Sequence, residues 1–138
     1  IELDIDAQLW LRGNETELRS AFSNLVGNAV QHTPDGSLVR VRWRLRDGHP
    51  VLNVEDNGEG IASEHLPRLS ERFYRVDPSR SRARGGTGLG LAIVKHALAR
   101  HDAELIVHSS PGHGSTFTCR FPAIAARHFP CRTTIEMQ

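Results

Sequence analysis

The sequence lacks the features that would place a protein in a membrane, on nucleic acid or outside the cell. It contains no run of about 18 apolar residues, so no segment predicts a transmembrane helix. The formal net charge is only +1, which disfavours nucleic acid as the main partner because a phosphate backbone selects a strongly basic surface. The two cysteines, Cys119 and Cys131, form no Cys-x-x-Cys pair. They favour a reducing cytoplasmic setting but do not exclude one disulfide.

The sequence also lacks a metal-binding pattern and is too short for several domains. The eight histidines are scattered, and none forms a His-x-x-x-His pair with acidic support, so no structural zinc site is predicted. A length of 138 residues fits one domain. The sequence starts without methionine or a signal-peptide pattern, and we therefore expect a piece of a longer protein.

The first half of the sequence predicts two short strands and a long helix. The strands are expected around Leu3 and Ile5 and at residues 9–11, and Asn14 or Thr16 could cap the helix that follows. Its apolar stripe runs to about residue 32 and comprises Leu18, Phe22, Leu25, Val26 and Ala29.

The same helix carries an unusual polar line. Asn24 and Asn28 lie four residues apart and share this line with Gln31. Asparagine is a poor helix former because its side chain competes for backbone hydrogen bonds, so two on one face suggest a function. The simpler alternative is a pair of solvated or helix-bonding amides.

A hairpin should follow. Four apolar residues from Val39 to Leu45 alternate with four arginines from Arg40 to Arg46, which predicts a half-buried antiparallel strand. The arginine row could bind an anion, although a charged outer sheet face is the simpler explanation. Asp47-Gly48 predicts the turn into a returning strand that contains Val51 and Val54.

The returning strand ends in an acidic, glycine-rich segment. A carboxylate at Asp56, with Gly58 and Gly60 behind it, suits a flat heterocycle, because the acid can accept from an exocyclic amine and the glycines leave space for the ring. An acidic turn or a calcium loop is the alternative. An EF-hand loop would need glutamate at its twelfth position, which is Pro67.

A polar stretch and a glycine loop come next. Residues 63–69 predict a short helix, and residues 76–86, which contain several arginines, predict a mobile lid. Residues 85–90 then place four glycines before an apolar helical pattern. Such a loop at a helix N-terminus favours phosphate binding, with a plain turn as the alternative.

Residues 105–108 and 115–121 predict two closing strands, and the tail beyond Pro122 predicts a linker or a disordered end.

Four motifs occur in a fixed order: residues 24–29, residues 56–60, residues 72–75 and residues 86–91. Together they resemble the N, G1, F and G2 boxes of the ATP-binding catalytic domain of sensor histidine kinases. The amino-acid sequence around residues 72–77 and 85–90 looks most like that of the phosphate-sensing branch of this family. The resemblance covers about residues 14–121 and makes residues 1–122 the catalytic domain, followed by the tail 123–138.

The resemblance implies a Bergerat-type, or GHKL, α/β two-layer sandwich, in which a mixed and mostly antiparallel sheet packs against about three helices under a mobile ATP lid. It implies ATP and Mg²⁺ as ligands, with Asp56 on the adenine amine, Asn28 on the metal and Arg75 neutralising phosphate charge. Where many members have a tyrosine, this sequence has His32. The remaining expected nucleotide contacts are Asn24, Gln31, Gly58, Gly60, Ile61, Phe73, Tyr74, Arg80, Arg84, Gly86, Thr87, Gly88, Leu89, Gly90 and Leu91.

The implied activity is transfer of the γ-phosphoryl group to a histidine on a separate dimerisation domain, with a response regulator receiver domain as the next partner. No histidine here has the expected His-Glu/Asp-x-x-x-Pro setting; His101-Asp102 comes nearest but has no proline in place. The fragment is expected to be a monomeric cytosolic domain of a sensor anchored in the inner membrane.

Two other functions remain open. Hydrolytic ATPases of the superfamily carry a glutamate general base where this sequence has Asn24, and an amide cannot serve as a base. A non-catalytic nucleotide-sensing module would keep the fold but lose phosphate or metal ligands, whereas Asn28 and Asp56 are present.

Overall fold

The chain folds around a five-stranded mixed sheet. The computed structural model describes residues 1–31, 33, 36–61 and 90–128. The sheet order is β1-β3-β4-β6-β5; β1 runs parallel to β3, and the other neighbours are antiparallel. The elements are β1 (Glu2–Ile5), β2 (Leu9–Leu11), α1 (Glu15–Gln31), β3 (Val39–Arg46), β4 (His49–Asp56), α2 (Gly90–Arg100), β5 (Glu104–Ser110), β6 (Gly114–Arg120), a 3₁₀ turn (Ala123–Ala125) and β7 (Ala126–His128).

The two helices cover one face of this sheet. Leu18, Ala21, Leu25 and Ala29 of α1 are buried, as are Val94, Ala97 and Leu98 of α2. They share one core with alternate strand residues, namely Val41, Trp43, Leu52, Val54, Phe117 and Cys119. The predicted two-layer α/β arrangement is confirmed. Neither helix among the described residues is both long and apolar enough to cross a bilayer.

Local signals explain where α1 begins. The side-chain Oδ1 of Asn14 accepts a hydrogen bond from the backbone N–H of Glu17 at 3.0 Å, which is the geometry of a helix N-cap. Glu15 and Glu17 place negative charge in the first turn, where the helix dipole favours it. Of the two predicted caps, Asn14 is therefore the correct one.

Three aromatic side chains pack together in the core. Phe22, Trp43 and Phe121 have ring centroids 6.0 to 6.2 Å apart. The indole Nε1 of Trp43 donates to the carbonyl oxygen of Leu9 at 2.9 Å, so the polar atom of this buried ring is satisfied. This bond ties β2 to the sheet.

The chain continues in the fold beyond Pro122, and this corrects the prediction that a linker or disordered end starts there. β7 pairs antiparallel with β2, with Trp10 opposite Arg127, and the backbone N–H of Arg12 donates to the carbonyl of Ala125 at 2.8 Å. Three residues are too few to show a strand period, so the sequence carried no signal for this pairing. The division of the chain at residue 122 remains a prediction, and residues 129–138 lie outside the described part.

The outer face of the sheet is charged, as the arginine alternation predicts. Arg44 pairs with Asp4, and Arg40 lies 3.2 Å from Glu2, both across the parallel β1–β3 ladder. These ion pairs are partly or largely exposed and contribute little to stability. The alternation therefore explains which side of β3 faces water.

The β5–β6 turn packs tightly against the segment that follows β4. The backbone N–H of Gly112 donates to the carbonyl of Glu59 at 2.6 Å. Gly60 has φ +75°, and a Cβ there would collide with the carbonyl of Ser110; Gly114 has φ +84°, and a Cβ there would collide with the carbonyl of Asp56. Both glycines are thus required by backbone conformation and by close approach.

We expect the thiol of Cys119 to be inert in the folded protein. Burial raises its pKa from 9.0 to about 12, so little thiolate forms at neutral pH. In a Cys131→Ser background, a thiol-specific chromogenic reagent at pH 8 should label Cys119 only after urea unfolding. Because the folded pKa is the higher one, this residue's contribution to stability should be present below pH 9 and decline toward pH 12. Rapid labelling under native conditions would contradict this expectation.

We expect Gly60→Ala to be much more destabilising than Gly112→Ala. Both glycines have positive φ, but an added Cβ would collide with a backbone carbonyl at Gly60 and would meet no atom within 4 Å at Gly112. Gly112→Ala should cost about 1 kcal/mol for backbone strain, and Gly60→Ala should cost at least roughly 2 kcal/mol more because the turn must move. Urea denaturation of both variants measures the difference. Equal losses would show that the contact with Ser110 does not matter.

Candidate functional site

The candidate site lies at the edge of the sandwich where β4 ends and α2 begins. Asp56 is the last residue of β4 and pairs with Val39 on one side and Ser115 on the other. The segment that leads from α1 to β3 reaches the same edge, since the backbone N–H of Leu38 donates to Oδ1 of Asn57 at 2.8 Å. Leu38 therefore lies beside the residue that follows Asp56.

The two helices run antiparallel, and this places the polar line of α1 beside the start of α2. A Cβ on Gly90 would lie 3.2 Å from Oδ1 of Asn24, so α2 begins in contact with that amide. Asn28 is about one turn further along α1, roughly 6 Å beyond Asn24. It consequently lies past Gly90, the first residue of α2.

Asn24 is held by its own helix. Its Nδ2 donates to the carbonyl of Ser20 at 2.7 Å and lies 3.4 Å from the Ser20 hydroxyl. The amide oxygen is thereby directed away from α1 and toward Gly90. The helix-bonding alternative considered for the asparagine pair is correct for the nitrogen of Asn24.

Asn28 differs from Asn24. Its side chain is half-buried, and its amide makes no hydrogen bond with any group of the described residues. A half-buried amide without a protein partner is costly unless water or a ligand satisfies it. Gln31, also half-buried, follows one turn later on the same line.

Asp56 folds the start of the loop onto itself. Its Oδ1 accepts from the backbone N–H of Gly58 at 3.0 Å, which makes an Asx-type turn. The loop is thus shaped by the same side chain that is predicted to recognise adenine.

Two serines that the sequence reasoning missed anchor the far end of this loop. The backbone N–H of Ile61 donates to Oγ of Ser109 at 2.7 Å, and Oγ of Ser109 also lies 3.0 Å from the Gly114 carbonyl and 2.7 Å from Oγ of Ser115. Ser115 is buried and is the ladder neighbour of Asp56. Serine near a hairpin turn is too common a pattern to have indicated this role.

The start of α2 has the electrostatic character of an anion site. No acidic residue occupies its first turn, so nothing on the helix offsets the positive end of the dipole at Gly90. Leu91 is half-buried and packs on the core, which anchors this turn. These features fit a phosphate group.

Other predicted contacts fall outside the described residues. They are His32, Phe73, Tyr74, Arg75, Arg80, Arg84, Gly86, Thr87, Gly88 and Leu89, together with the predicted third helix at residues 63–69 and the lid at 76–86. In the described part, Asn24 contacts the start of α2 at Gly90, and Asp56 ends β4 at the edge of the sheet where β5 also ends. Gly60 has a role in packing against the turn, while its predicted role in admitting the adenine ring remains a prediction.

Comparison with known proteins agrees with this geometry. Residues 13–125 match the family of histidine kinase-, DNA gyrase B- and HSP90-like ATPases. The phosphate regulon sensor protein PhoR of Pseudomonas aeruginosa is 59% identical over 121 residues, which are 88% of this chain and 27% of that protein. The sensor-like histidine kinase SenX3 of Mycobacterium tuberculosis is 48% identical over 124 residues, covering 90% and 30% of the two chains. The chain thus spans less than a third of either relative.

Solved structures give the same result. A mycobacterial sensor histidine kinase, MprB, superposes with a TM-score of 0.76 at 30% identity, covering 93% of this chain and 83% of that one. Full-length ShkA in complex with AMPPNP superposes with a TM-score of 0.72 at 29% identity, covering 88% of this chain and 25% of that one. The chain therefore belongs to the histidine kinase-, DNA gyrase B- and HSP90-like ATPase family, as an ATP-binding catalytic domain of the sensor histidine kinase type.

Proposed function

We propose that this domain binds Mg-ATP and supplies the γ-phosphoryl group to a histidine on a separate dimerisation domain. The observation that carries the proposal is that three features lie toward one edge of the sandwich: Asp56, the start of α2, and Asn28, whose amide has no hydrogen-bond partner among the described residues. Each suits a different part of the same ligand: a base, a metal-bound phosphate and a free phosphate oxygen.

The loop after β4 is proposed to bind the adenine end of ATP. Asp56 accepts a hydrogen bond from the exocyclic amine while its turn with Gly58 holds the carboxylate in place. Ser109 fixes the end of the loop at Ile61, so the distance between the two loop ends is set by the sheet. A preformed loop reduces the ordering cost of binding.

The helices are proposed to bind the phosphate end of ATP. The first turn of α2 presents unpaired backbone N–H groups to phosphate oxygens, and Arg75, Arg80 and Arg84 are proposed to neutralise further charge. Asn28 is proposed to provide one oxygen ligand to Mg²⁺, which usually keeps phosphate oxygens and waters as its other ligands. When bound, the ion offsets the negative charge that develops during phosphoryl transfer.

Transfer is favoured over direct hydrolysis by the chemistry of Asn24. Its Nδ2–H donates a hydrogen bond to the carbonyl of Ser20, and an amide oxygen does not accept a proton from water at neutral pH. Without a general base at position 24, activation of water is disfavoured, and we propose that the nucleophile is supplied by another domain. Positioning and charge neutralisation then account for most of the rate enhancement.

The relatives suggest the wider setting. One of them, PhoR of Pseudomonas aeruginosa, is described as a phosphate regulon sensor protein, which supports a place for this domain in a phosphate-sensing kinase. We propose a histidine-bearing dimerisation domain and a response regulator receiver domain as its partners. We propose further that the intact sensor is anchored in the inner membrane with this domain, itself a monomer, in the cytosol.

We expect Asp56→Asn to weaken ATP binding by roughly 30- to 150-fold, the equivalent of about 2–3 kcal/mol for a hydrogen bond to a charged group. The asparagine can keep the turn bond to Gly58 but can present a donor toward the adenine amine. Calorimetric titration with Mg-ATP measures the loss. Glu55→Gln is the matched control, because it removes the same charge from an exposed neighbouring residue. Equal affinity of a folded Asp56→Asn variant and the original chain would refute the adenine assignment.

We expect Asn28→Ala to impair transfer more than binding. Loss of the metal ligand should slow phosphoryl transfer by roughly 100-fold or more, because metal stabilisation of the transition state amounts to several kcal/mol. The assay follows labelled phosphate from ATP to a histidine-bearing domain taken from the 59% identical relative. Ser23→Ala, on the exposed face of the same helix, is the control. Unchanged transfer in Asn28→Ala would show that the metal assignment is wrong.

A further inference from the structure

A histidine joins the two helices at the end of the sandwich opposite the candidate site. His101 directly follows the last residue of α2, and its side chain is 9% exposed. Its Nε2 lies 3.0 Å from the backbone nitrogen of Asn14, the N-cap of α1, and its Nδ1 lies 2.7 Å from the carbonyl oxygen of Ala97. Both ring nitrogens are therefore engaged.

The partners determine which nitrogen carries the proton. The N–H of Asn14 can only donate, so Nε2 accepts, and the carbonyl of Ala97 can only accept, so Nδ1 donates. The imidazole is neutral in this arrangement. Its position is thus fixed by one bond to its own helix and one bond to the neighbouring helix.

The bond to Asn14 replaces a bond usually made within a helix. In a capping box, the side chain at the third helical position accepts from the N–H of the N-cap residue. That third residue here is Glu17, but its carboxylate instead lies 2.6 Å from Nε of Arg100 on α2. His101 takes over the acceptor role, and α1 is capped partly by α2.

The loop before α1 is shaped to accept this ring. A Cβ on Gly13 would lie 2.6 Å from Cδ2 and 2.7 Å from Nε2 of His101. Any larger residue at this position would push the imidazole away from Asn14. Gly13 is thus part of the same contact.

We propose that His101 is a positioning residue that sets the axial position of α2 against α1 and so places the phosphate-binding end of α2. This inference rests on the function proposed above. The two helices touch at opposite ends, at Asn14–His101 and at Asn24–Gly90. Along each helix these contacts are separated by roughly 15 Å, and a slip of one residue would displace the start of α2 by about 1.5 Å.

Apolar packing alone defines the axial position of α2 against α1 less sharply. Contacts among Leu18, Leu25, Val94 and Leu98 hold the helices together, but burial of apolar surface is not directional. The hydrogen bond at His101 is directional and weakens steeply when its geometry changes. A helix is stiff over this length, so a constraint at its C-terminal end acts on Gly90.

Two substitutions of similar size separate the roles of the two nitrogens. Glutamine at position 101 can place its amide oxygen near the position of Nε2 and keep the bond to Asn14. Asparagine is shorter and can donate only toward Ala97. Arg100→Ala removes the neighbouring ion pair with Glu17 and serves as the control.

The experiment compares Mg-ATP binding by calorimetry with adenosine binding by NMR titration. We expect His101→Asn to weaken Mg-ATP binding by about tenfold while adenosine binding changes less than about twofold, because only the phosphate end moves. His101→Gln and Arg100→Ala should both stay within about threefold of the original chain for Mg-ATP. The amide of Asn14 should lose exchange protection only in His101→Asn.

Three results would overturn the inference: a folded His101→Asn variant with undiminished Mg-ATP affinity, equal losses for ATP and adenosine, or a His101→Gln variant as impaired as His101→Asn. A chain that binds no nucleotide before mutation would refute the proposed function instead. In that case residual dipolar couplings of α2, which need no ligand, decide the inference. A reorientation or shift of α2 in His101→Asn supports it, and unchanged couplings overturn it.

Discussion

The structure depends on the burial of one sheet face beneath two antiparallel helices. This burial removes the apolar stripes of α1 and α2 from water and is the largest favourable contribution to folding. Because the helices are antiparallel, the end of α1 that carries Asn28 lies beyond the first residue of α2. Because β4 and β5 both run antiparallel to β6, Asp56 lies at the edge of the sheet where β5 also ends. The candidate site is therefore a consequence of how the core is packed.

The glycines near the site illustrate how one residue can serve two constraints. Gly60 suits a base-binding loop, but its missing Cβ is already required by the carbonyl of Ser110. Gly114 meets Asp56 in the same way. The loop and the β5–β6 turn are held by backbone contact and by Ser109, so the loop is preorganised before any ligand arrives. Glycine in a sequence motif is thus not by itself evidence of ligand contact.

Much of the fold could be predicted because its periodic apolar patterns extend over long segments. The alternation in β3 and the apolar stripe of α1 extend over enough residues to separate strand from helix. The pairing of β2 with β7 could not be predicted, since each strand has three residues. The bond of Asn24 to Ser20 was one of two open alternatives, and only coordinates distinguish a helix-bonding amide from one that faces a ligand.

By itself, the sequence determined the order of the strands and helices from β1 to β6, the buried face of the longer ones and the residue types at the site, because these follow from local periodicity and short motifs. Tertiary structure alone decided which distant groups meet. Ser109 reaches Ile61, and His101 takes the N–H of Asn14, a partner 87 positions away along the chain. Such contacts depend on sheet order and helix register, which are set by the packing of the whole core and leave no local pattern in the residues concerned.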